Sequence, residues 1–550
     1  MTNFRAAFTV LAVAMLSLGT SSHPMGDPTS MHSGEYFASR CPDAPCTVLR
    51  VPVEHRWQSV KALLHDVAVG KGPVNADQLS VLHRRLLYLS GNWRTDKTVR
   101  QEDLLKHLSK RPGSFFHADL PFMASVVSHL EDLFPAGLMH LTPRNPQIHL
   151  RKIQVYALLA AAFLGVIPHN QRDLLARHPR SFTLHLNKLD MFFRGFMERA
   201  PKFEALLTYF SIMRERLEGC WSQMVETSSF SKASCSQSCS CSSAEKGERL
   251  AASDELIGFY RHTTEATVFT WLNGYPVVTA PAVTAESIAT SSALLQRFDV
   301  LDVGDITESD DNLQVDFADR YLGGLSMFSD HIAQEELLFV VYPELHVVML
   351  FSDVMKTTEA VVIKGVERFV FFEGYEHTFR ITSAAGPWSS LPQGKHYSVQ
   401  GVVPLDKLGR RNVTVVAIDA IEFHRPSDQY DEDKVNRELV KAAVGFKGDP
   451  YEAIVSDTVG MVATGLWGCG VFGGDAQLKS LLQWLAASAA GRPLKFYTFG
   501  RQSLRHMPEY VAKLQEKYRT VRRLYEAIQM ALKSRVNSQA ASWSLWNALL

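Results

Sequence analysis

Two adjacent carboxylates, Glu335 and Glu336, follow Gln334 and stand directly before an apolar run at 337–342. Burying such side chains is costly unless they are paired or protonated. A carboxylic acid that is held partly protonated can give a proton to a leaving group and then take one from water. The alternative is a solvated helix start, where acidic residues interact favourably with the helix dipole. The pattern by itself leaves both interpretations open.

Glycines precede this pair and recur later in the chain. Asp316 lies in an apolar segment, 313–317, which predicts a strand, and Gly323 and Gly324 follow it. Glycine lets a backbone approach a ligand without an intervening Cβ atom. A second glycine-rich segment, 470–474, precedes a predicted helix, and N–H groups at such a start can bind phosphate. A pair of tight turns would explain the same glycines.

Four short motifs occur in an order that resembles the signature of the poly(ADP-ribose) glycohydrolases. The first is Val-Asp-Phe-Ala-Asp at 315–319, with Gly-Gly-Leu at 323–325 and Gln-Glu-Glu at 334–336. The others are Val-Ala-Ile-Asp-Ala at 416–420, Ala-Thr-Gly-Leu-Trp-Gly-Cys-Gly-Val-Phe-Gly-Gly-Asp at 463–475, and Tyr-Thr-Phe-Gly at 497–500. The similarity extends from about residue 146 to about 530. It implies an α/β fold, a macrodomain-like mixed sheet flanked by helices and preceded by a helical accessory domain.

This family hydrolyses the ribose–ribose O-glycosidic bonds of poly(ADP-ribose) and releases ADP-ribose. By resemblance, Glu336 is the general acid/base, Glu335 helps to fix the ribose hydroxyls, and Asp316 lies near the same site. The substrate-binding positions that the resemblance implies are Gly323, Gly324, Gln334, Asp319, Tyr375, Gly470, Val471, Phe472, Gly473, Phe499, Ile306 and Glu308. No cofactor and no metal are expected.

These positions contact different parts of ADP-ribose in the family. The two glycine-rich segments would hold the diphosphate through backbone N–H groups. Tyr375 would line the site, and Phe499 would stack on adenine, since any base offers a π-face. Ile306 and Glu308 match positions at the adenine edge, in a loop whose length differs from that of the family.

Three residues depart from the family pattern. Leu325 replaces a glycine, so it either strains the loop or pushes its side chain toward the ribose. A shift of the following segment could instead point it into the core. Asp319 replaces an asparagine and cannot donate as an amide does, and Leu466 replaces an asparagine with an apolar side chain. These departures keep two alternatives to an active glycohydrolase open. One is a catalytically weak reader that binds ADP-ribose, and the other is a hydrolase of mono-ADP-ribosylated protein.

The elements that must position these residues differ between the two halves of the chain. Apolar residues recur with helical spacing from 77 to 217, and further helices are predicted at 182–199 and 203–217. Beyond 254, strands alternate with helices, which indicates a mixed or parallel sheet covered on both faces. The predicted strands are 267–272, 313–317, 360–363, 413–418, 460–463 and 495–499, and the predicted helices of this half include 475–490 and 504–530.

The sequence therefore divides into four predicted segments: a signal-like segment 1–24, a helical accessory region 25–225, a serine-rich disordered insertion 226–247, and a macrodomain-like catalytic region 248–550. The first has the form of a secretory signal, with Arg5 before an apolar stretch. A functional signal would predict the secretory pathway, whereas the resemblance implies the nucleus or cytoplasm. The sequence leaves the location open.

The seven cysteines do not resolve this question, because an odd number argues against a complete disulfide framework. Cys41 and Cys46 could form a small disulfide loop in an exported protein. Cys235, Cys239 and Cys241 lie in the serine-rich segment, but structural zinc needs four ligands and the sequence supplies no further cluster to complete the set.

Charge composition limits the classes of partner. The chain has 57 Lys and Arg against 57 Asp and Glu, so its formal net charge is zero. No global field therefore draws it to nucleic acid or membranes. We expect a monomer without direct nucleic-acid binding or membrane association. Its expected partner is poly(ADP-ribose) attached to proteins, a polyanion that must then be held by a local site.

Overall fold

The computed structural model describes residues 46–47, 54–90, 115–135, 138–167, 200–228, 230, 254–270, 277–309, 312–326, 331–384, 405–535 and 543–550. Within these residues the strands, in chain order, are β1 (Cys46–Thr47), β2 (Leu138–Met139), β3 (Gln147–Arg151), β4 (Leu256–His262), β5 (Thr267–Phe269), β6 (Val278–Ala280), β7 (Phe298–Leu301), β8 (Leu313–Asp316), β9 (Ala360–Lys364), β10 (Val370–Glu373), β11 (Arg380–Ala384), β12 (Thr414–Ala417), β13 (Val462–Thr464) and β14 (Leu494–Tyr497).

Eight of these strands form one mixed sheet in the order β3-β4-β9-β12-β8-β13-β14-β7. The five strands from β12 to β7 run parallel, whereas β3, β4 and β9 run antiparallel to their neighbours. Parallel strands present their carboxyl ends at one edge, and ligands bind at that edge in such sheets. Strand β8 lies among these parallel strands and ends at Asp316. The residues that follow Asp316 therefore lie at this edge of the sheet.

The α-helices of the described residues are α1 (Glu54–Asp66), α2 (Ala76–Leu89), α3 (Leu120–Val127), α4 (Leu130–Leu133), α5 (Lys152–Phe163), α6 (Ala200–Thr227), α7 (Ala285–Ala289), α8 (Gln334–Val341), α9 (Glu432–Gly445), α10 (Glu452–Val455), α11 (Ala476–Ala489), α12 (Met507–Tyr518), α13 (Val521–Arg535) and α14 (Leu545–Leu549). A 3₁₀-helix, Pro343–Leu350, follows α8. Among the described residues, no helix is both long and apolar enough to cross a membrane.

The sheet separates two hydrophobic cores because successive side chains of a strand point to opposite faces. In β9, Val361 and Ile363 belong to one core, whereas Ala360 and Val362 belong to the other. The first core also contains the apolar faces of α1–α6 and of α8, and the second contains those of α9 and α11–α14. The N-terminal helices therefore share a core with the helix that carries Glu335 and Glu336.

A buried ion pair strengthens this connection. Lys152, the first residue of α5, donates to both carboxylate oxygens of Glu344 at 2.6 Å, and both side chains are inaccessible to solvent. Arg216 of α6 pairs with Glu367 at 2.7 Å on the same side of the sheet. A buried charge without its partner is strongly destabilising. The helices of the N-terminal half thus depend on acids contributed by the second half.

The strand predictions agree with the structure at five of six places, to within two residues at each end. The sixth, 267–272, is wrong in length, because β5 ends at Phe269. This strand pairs with β6 in a separate two-stranded sheet. The single helix predicted at 504–530 is also wrong. It is divided into α12 and α13 at Arg519, whose φ of 61° interrupts helical geometry.

The division into segments remains a prediction, but two of its details differ from the structure. The region 25–225 is not purely helical, because β3 lies within it and pairs antiparallel with β4 at an edge of the main sheet. Helix α6 also continues to Thr227, past the predicted start of the serine-rich segment at 226. The predicted signal at 1–24, the helix at 182–199, Cys41, Cys235, Cys239 and Cys241 lie outside the described residues.

Candidate active site

Glu335 holds the loop that follows β8. It is only 5% exposed, and its Oε1 accepts a hydrogen bond from the Gly323 backbone N–H at 2.6 Å. Its Oε2 accepts a hydrogen bond from the Asp319 backbone N–H at 2.9 Å. Backbone donors satisfy a buried carboxylate as well as fixing the loop. The interpretation as a solvated helix start is therefore wrong for this residue.

Glu336 is 6% exposed and is fixed in the same way. Its Oε1 accepts from the Leu325 N–H at 2.8 Å, and its Oε2 accepts from the Ala333 N–H at 3.1 Å, at the start of α8. A Cβ atom on Gly324 would lie 3.0 Å from Glu336 Oε1 and closer still to Glu335, and the φ of this glycine is +40°. The glycine is needed so that the loop can pass over both carboxylates.

Gln334 connects the helix start to the end of β8. Its side-chain oxygen accepts from the Phe317 N–H at 2.8 Å, and its amide nitrogen donates to the Val315 carbonyl at 2.8 Å. The side chain thus binds backbone groups of β8 and of the residue that directly follows it. This places the two carboxylates beside Asp316.

Asp316 is 1% exposed, and its Oδ1 has no hydrogen-bond partner among the described residues. Burial, together with the negative charge of nearby Glu336, raises the pKa of Asp316 well above its ordinary value. Both effects disfavour the charged form. The protonated form of Asp316 is therefore favoured over a wider pH range than in an exposed aspartate.

The second glycine-rich loop lies at the same edge, after β13. Its residues Gly470, Val471 and Phe472 have backbone N–H groups that donate no hydrogen bond within the described residues. Val471 is 63% exposed, and Gly473 has a φ of +72°. Consecutive unpaired N–H groups form an anion-binding concavity. The loop leads into α11, so the start of that helix adds its dipole.

A buried ionic cluster, in which Glu438 pairs with Lys479 and Lys479 packs on Trp467, supports this loop. Trp467 donates through its indole N–H to the Ile418 carbonyl at 3.0 Å, and Lys479 Nζ lies 3.4 Å from the centre of the Trp467 ring. Lys479 in turn pairs with Glu438, and both are buried. Burial raises the pKa of Cys469 to about 12, so this thiol remains protonated and unreactive.

Aromatic rings line the edge beyond the loop. Phe499 follows β14 with a φ of +53° and is 47% exposed, which is unusual for a large apolar ring. Its ring centroid lies 6.2 Å from that of Tyr497. A Cβ atom on Gly465 would lie 3.0 Å from the Phe499 ring and 3.6 Å from the Phe317 ring, so this glycine brings the two rings close together. The result is a partly exposed aromatic surface.

Tyr375 lies close to the start of α8. Burial raises the pKa of Tyr375 to about 12, the negative charges of Glu376 and Glu336 add to the rise, and a hydrogen bond to the Gln334 backbone opposes it. The residue therefore lies near the carboxylates. Its phenol stays protonated at neutral pH and can donate a hydrogen bond.

The two residues matched to the adenine edge differ from each other. Ile306 is buried and packs with Ala463 and Tyr497, so its side chain belongs to the core. Glu308 is exposed, and a Cβ atom on Gly304 would lie 2.8 Å from Glu308 Oε2. Only Glu308 presents a side chain that a ligand can contact.

The departures from the family pattern have specific surroundings. Leu325 is half-buried, and it is not among the described non-glycine residues with positive φ, so the strained alternative is wrong. The Asp319 carboxylate accepts from the Tyr321 N–H at 2.8 Å and shapes the turn. Leu466 is partly buried against the second core. Each residue thus has a structural role of its own.

Sequence reasoning missed Phe317, Gly465 and the ionic cluster beneath the glycine-rich loop. A glycine two residues after the predicted strand at 460–463 was the signal that could have revealed Gly465. Nothing in the local sequence distinguishes Glu438 or Lys479 from an ordinary surface charge. Within the described part of the chain, no group of three or more His, Cys, Asp or Glu side chains is arranged to hold a metal ion.

Comparisons with known proteins agree with this geometry. A family model described as poly(ADP-ribose) glycohydrolase, macro domain fold, matches residues 285–506. A second model, described as the helical domain of poly(ADP-ribose) glycohydrolase, matches residues 108–228. The expectation of a macrodomain-like sheet preceded by a helical domain is therefore confirmed.

Three curated relatives extend this result. A "probable poly(ADP-ribose) glycohydrolase 2" of Arabidopsis thaliana is 37% identical over 233 residues, which are 36% of this chain and 42% of that protein. A poly(ADP-ribose) glycohydrolase 1 of Caenorhabditis elegans is 37% identical over 198 residues, 35% of this chain and 23% of that protein. A poly(ADP-ribose) glycohydrolase 2 of the same organism is 34% identical over 218 residues, 38% and 42% of the two chains. The matches thus span less than half the length of each relative.

Proposed function

Because this chain belongs to the poly(ADP-ribose) glycohydrolase family, we propose that it hydrolyses the ribose–ribose O-glycosidic bonds of poly(ADP-ribose) and releases ADP-ribose. The observation that supports the proposal most directly is the placement of Glu336. Its carboxylate is buried, held by two backbone N–H groups, and next to Asp316, whose pKa is raised, at the end of a central parallel strand. A general acid/base needs this kind of fixed position and proton supply.

The reaction proceeds through one carboxyl group. Protonated Glu336 gives its proton to the ribose oxygen of the leaving unit as the bond from that oxygen to the anomeric carbon breaks and oxocarbenium character develops. The Glu336 carboxylate then removes a proton from water while the water oxygen bonds to the anomeric carbon. One water molecule is consumed, ADP-ribose is released, and Glu336 regains its proton. The raised pKa of Asp316 favours its neutral form, which adds no second charge beside Glu336.

The substrate lies along the carboxyl edge of the parallel strands. The ribose being cleaved contacts the two glutamates after β8, and Glu335 acts mainly by fixing the loop at Asp319 and Gly323. The diphosphate accepts hydrogen bonds from the unpaired N–H groups of 470–472 after β13. The adenine stacks on Phe499 after β14. Tyr375 closes the site beside α8.

Product analysis tests the proposal. The purified full chain is incubated with a polymer-modified acceptor protein, and soluble and protein-bound products are separated. We expect free ADP-ribose to accumulate while protein-linked stubs remain. Intact polymer that co-purifies with the chain would contradict glycohydrolase activity and indicate a reader. Removal of the stubs themselves would indicate a hydrolase of mono-ADP-ribosylated protein.

The role of Glu336 is tested by Glu336→Gln. The amide keeps the shape of the side chain but cannot exchange a proton, so turnover should fall by about 10²–10⁴-fold while ADP-ribose binding persists. Glu509→Gln, an exposed change in α12, is the matched control and should leave turnover unchanged. Calorimetric binding and polymer cleavage are measured on the same preparation. Near wild-type turnover in Glu336→Gln would exclude this residue as the acid/base.

The position of the adenine is tested by Phe499→Ala. Loss of a stacked ring should weaken ADP-ribose binding by about 1–3 kcal/mol. Tyr88→Ala removes another exposed ring, on α2, and should not change the affinity. Equal affinities in two folded variants would show that Phe499 does not contact the base.

A further inference from the structure

A cavity of about 350 Å³ opens at the same edge of the sheet as the candidate active site. It lies where β4 ends and β9 begins, and it is lined by parts of 143–146, 263–268 and 358–359. Strands β4 and β12 run in the same direction, since both are antiparallel to β9. The carboxyl end of β4 therefore shares its edge with the carboxyl end of β8. The volume falls within the range of small-molecule pockets.

The lining of this cavity suits a phosphorylated sugar. Arg144 is exposed and lines it, together with the threonines Thr263, Thr264 and Thr358. Guanidinium and hydroxyl groups are the usual donors to phosphate and ribose oxygens. The buried acid in the wall, Glu359, pairs with Arg261 at 2.6 Å, so its charge is compensated. An exposed acid, Glu265, also lines the cavity.

Two further exposed cations lie between the cavity and the active site. Arg320 belongs to the loop that Glu335 holds, and its carbonyl accepts from the Met355 N–H at 2.9 Å. Lys356 follows, and its carbonyl accepts from the N–H of the cavity residue Glu359 at 3.1 Å. Within the described residues, Arg320, Lys356 and Arg144 form no ion pair with a carboxylate. They can therefore face an external anion, in a protein whose overall charge is zero.

The orientation of the bound substrate points toward this cavity. In the proposed complex, ADP-ribose extends from Phe499 after β14, past the loop after β13, to Glu336 near the end of β8. Continuing in the same direction, the next strands are β12, β9 and β4. Three strand spacings, about 14 Å, separate β8 from β4. The polymer unit beyond the scissile bond leaves the active site on this side.

We infer that the cavity is a subsite for the ADP-ribose unit on the far side of the scissile bond. Arg320 and Lys356 contact phosphates between the two sites, and Arg144 with the threonine hydroxyls holds the unit in the cavity. The inference rests on the proposed function, because it takes its direction from the proposed substrate position. Such a subsite makes the affinity for poly(ADP-ribose) depend on the number of units, since free ADP-ribose reaches only the first site.

Binding of defined oligomers tests the inference in the full chain carrying Glu336→Gln, so that no substrate is cleaved. Fluorescence anisotropy compares ADP-ribose with a four-unit oligomer over a range of salt concentrations. Adding Arg144→Gln, Arg320→Gln and Lys356→Gln together should weaken oligomer binding about tenfold and leave ADP-ribose binding unchanged. The slope of log affinity against log salt should decrease in magnitude by about 2, the value for three phosphate contacts on a flexible strand.

A matched variant with the same change in charge serves as the control. The control replaces three exposed cations of α12 and α13: Lys513→Gln, Arg523→Gln and Lys533→Gln. These helices pack on the face of the sheet opposite to the face that α8 covers. This control should bind the oligomer like the parent. Equal losses in both triple variants would show a diffuse charge effect and overturn the subsite.

Two single changes separate the cavity from the cations. Ala266→Trp fills the cavity from an exposed position and should weaken oligomer binding alone, whereas Glu265→Gln removes a negative charge and should strengthen it. No effect of either change on the oligomer would overturn the inference while leaving the first site intact. If the parent bound neither ADP-ribose nor oligomer, and the wild type released no ADP-ribose, the proposed function itself would fail and the subsite with it.

Discussion

Two groups of buried acids stand at the ends of the neighbouring strands β8 and β12, and they are stabilised in opposite ways. After β12, Asp419 pairs with Lys441 at 2.6 Å and with Arg437 at 2.5 Å. Glu438 pairs with Arg437 and Lys479. Near the end of β8, Asp316 and Glu336 form no ion pair with any cation among the described residues, and Glu336 relies on backbone N–H groups.

The comparison indicates that acids at one edge of the sheet have different roles: the β12 group supports a loop, and the β8 group contains the proposed acid/base. The acids of the β12 group are paired with cations, and through Lys479 this group supports Trp467 and the glycine-rich loop. The β8 group lacks this compensation, and burial there favours a retained proton. Backbone donors hold a carboxyl group in place without supplying a full positive charge. The acid/base thus stays fixed and still able to change its protonation state.

Breaking the ion-paired group should have the largest effect on stability. Glu438→Gln leaves buried Lys479 without its carboxylate and should lower the free energy of unfolding by about 3–5 kcal/mol. Denaturant unfolding measures the loss. The double variant Glu438→Gln with Lys479→Met removes both charges and should recover part of it. A single variant as stable as the wild type would show that the pair does not support the loop.

Asp316→Asn tests the retained proton through pH. Because its pKa is raised in the folded state, Asp316 contributes most to stability below its unfolded pKa of about 3.9, and this contribution is lost as pH rises toward the folded value. Asparagine has no such dependence. The variant should therefore gain stability relative to the wild type as pH rises above about 4. Asp433→Asn, exposed at the start of α9, is the control, and parallel pH profiles for Asp316→Asn would contradict the assignment.

Glu336→Gln should cost less stability than Glu438→Gln. The amide oxygen can accept one of the two backbone hydrogen bonds, and its NH₂ group cannot accept the other, so the expected loss is about 1–2 kcal/mol. Unfolding of both variants under identical conditions gives the comparison directly. A loss as large as that of Glu438→Gln would mean that both acid groups serve mainly to stabilise the fold.

Leu325→Gly should have the smallest effect. The leucine is half-buried without positive φ, and its N–H already donates to Glu336, so glycine should lower stability by about 1 kcal/mol without raising the cleavage rate. Melting temperature and turnover are measured together. Faster cleavage in the variant would show that the leucine obstructs the ribose after all.

The sequence predicted the site residues more readily than their supports. Glu336 and Gly324 belong to contiguous motifs, where a few neighbouring residues carry a recognisable pattern. The ionic cluster depends on Asp419, Glu438 and Lys479, which local patterns cannot bring together. Strand β3 was missed for the same reason, since Gln147 pairs with Tyr260, more than 100 residues away in the chain. The break at Arg519 arises from a single positive φ that helical periodicity does not reveal.

The ion pair between Lys152 and Glu344 also bears on folding during synthesis, because it cannot form until both residues have been made. The two residues are 192 positions apart, so a ribosome adding about 5–20 residues per second needs about 10–40 s to deliver the second after the first. Throughout that interval the apolar faces of α1–α6 lack the part of their core that α8 completes. The nascent N-terminal half therefore cannot complete its core until residues from the middle of the chain have been made.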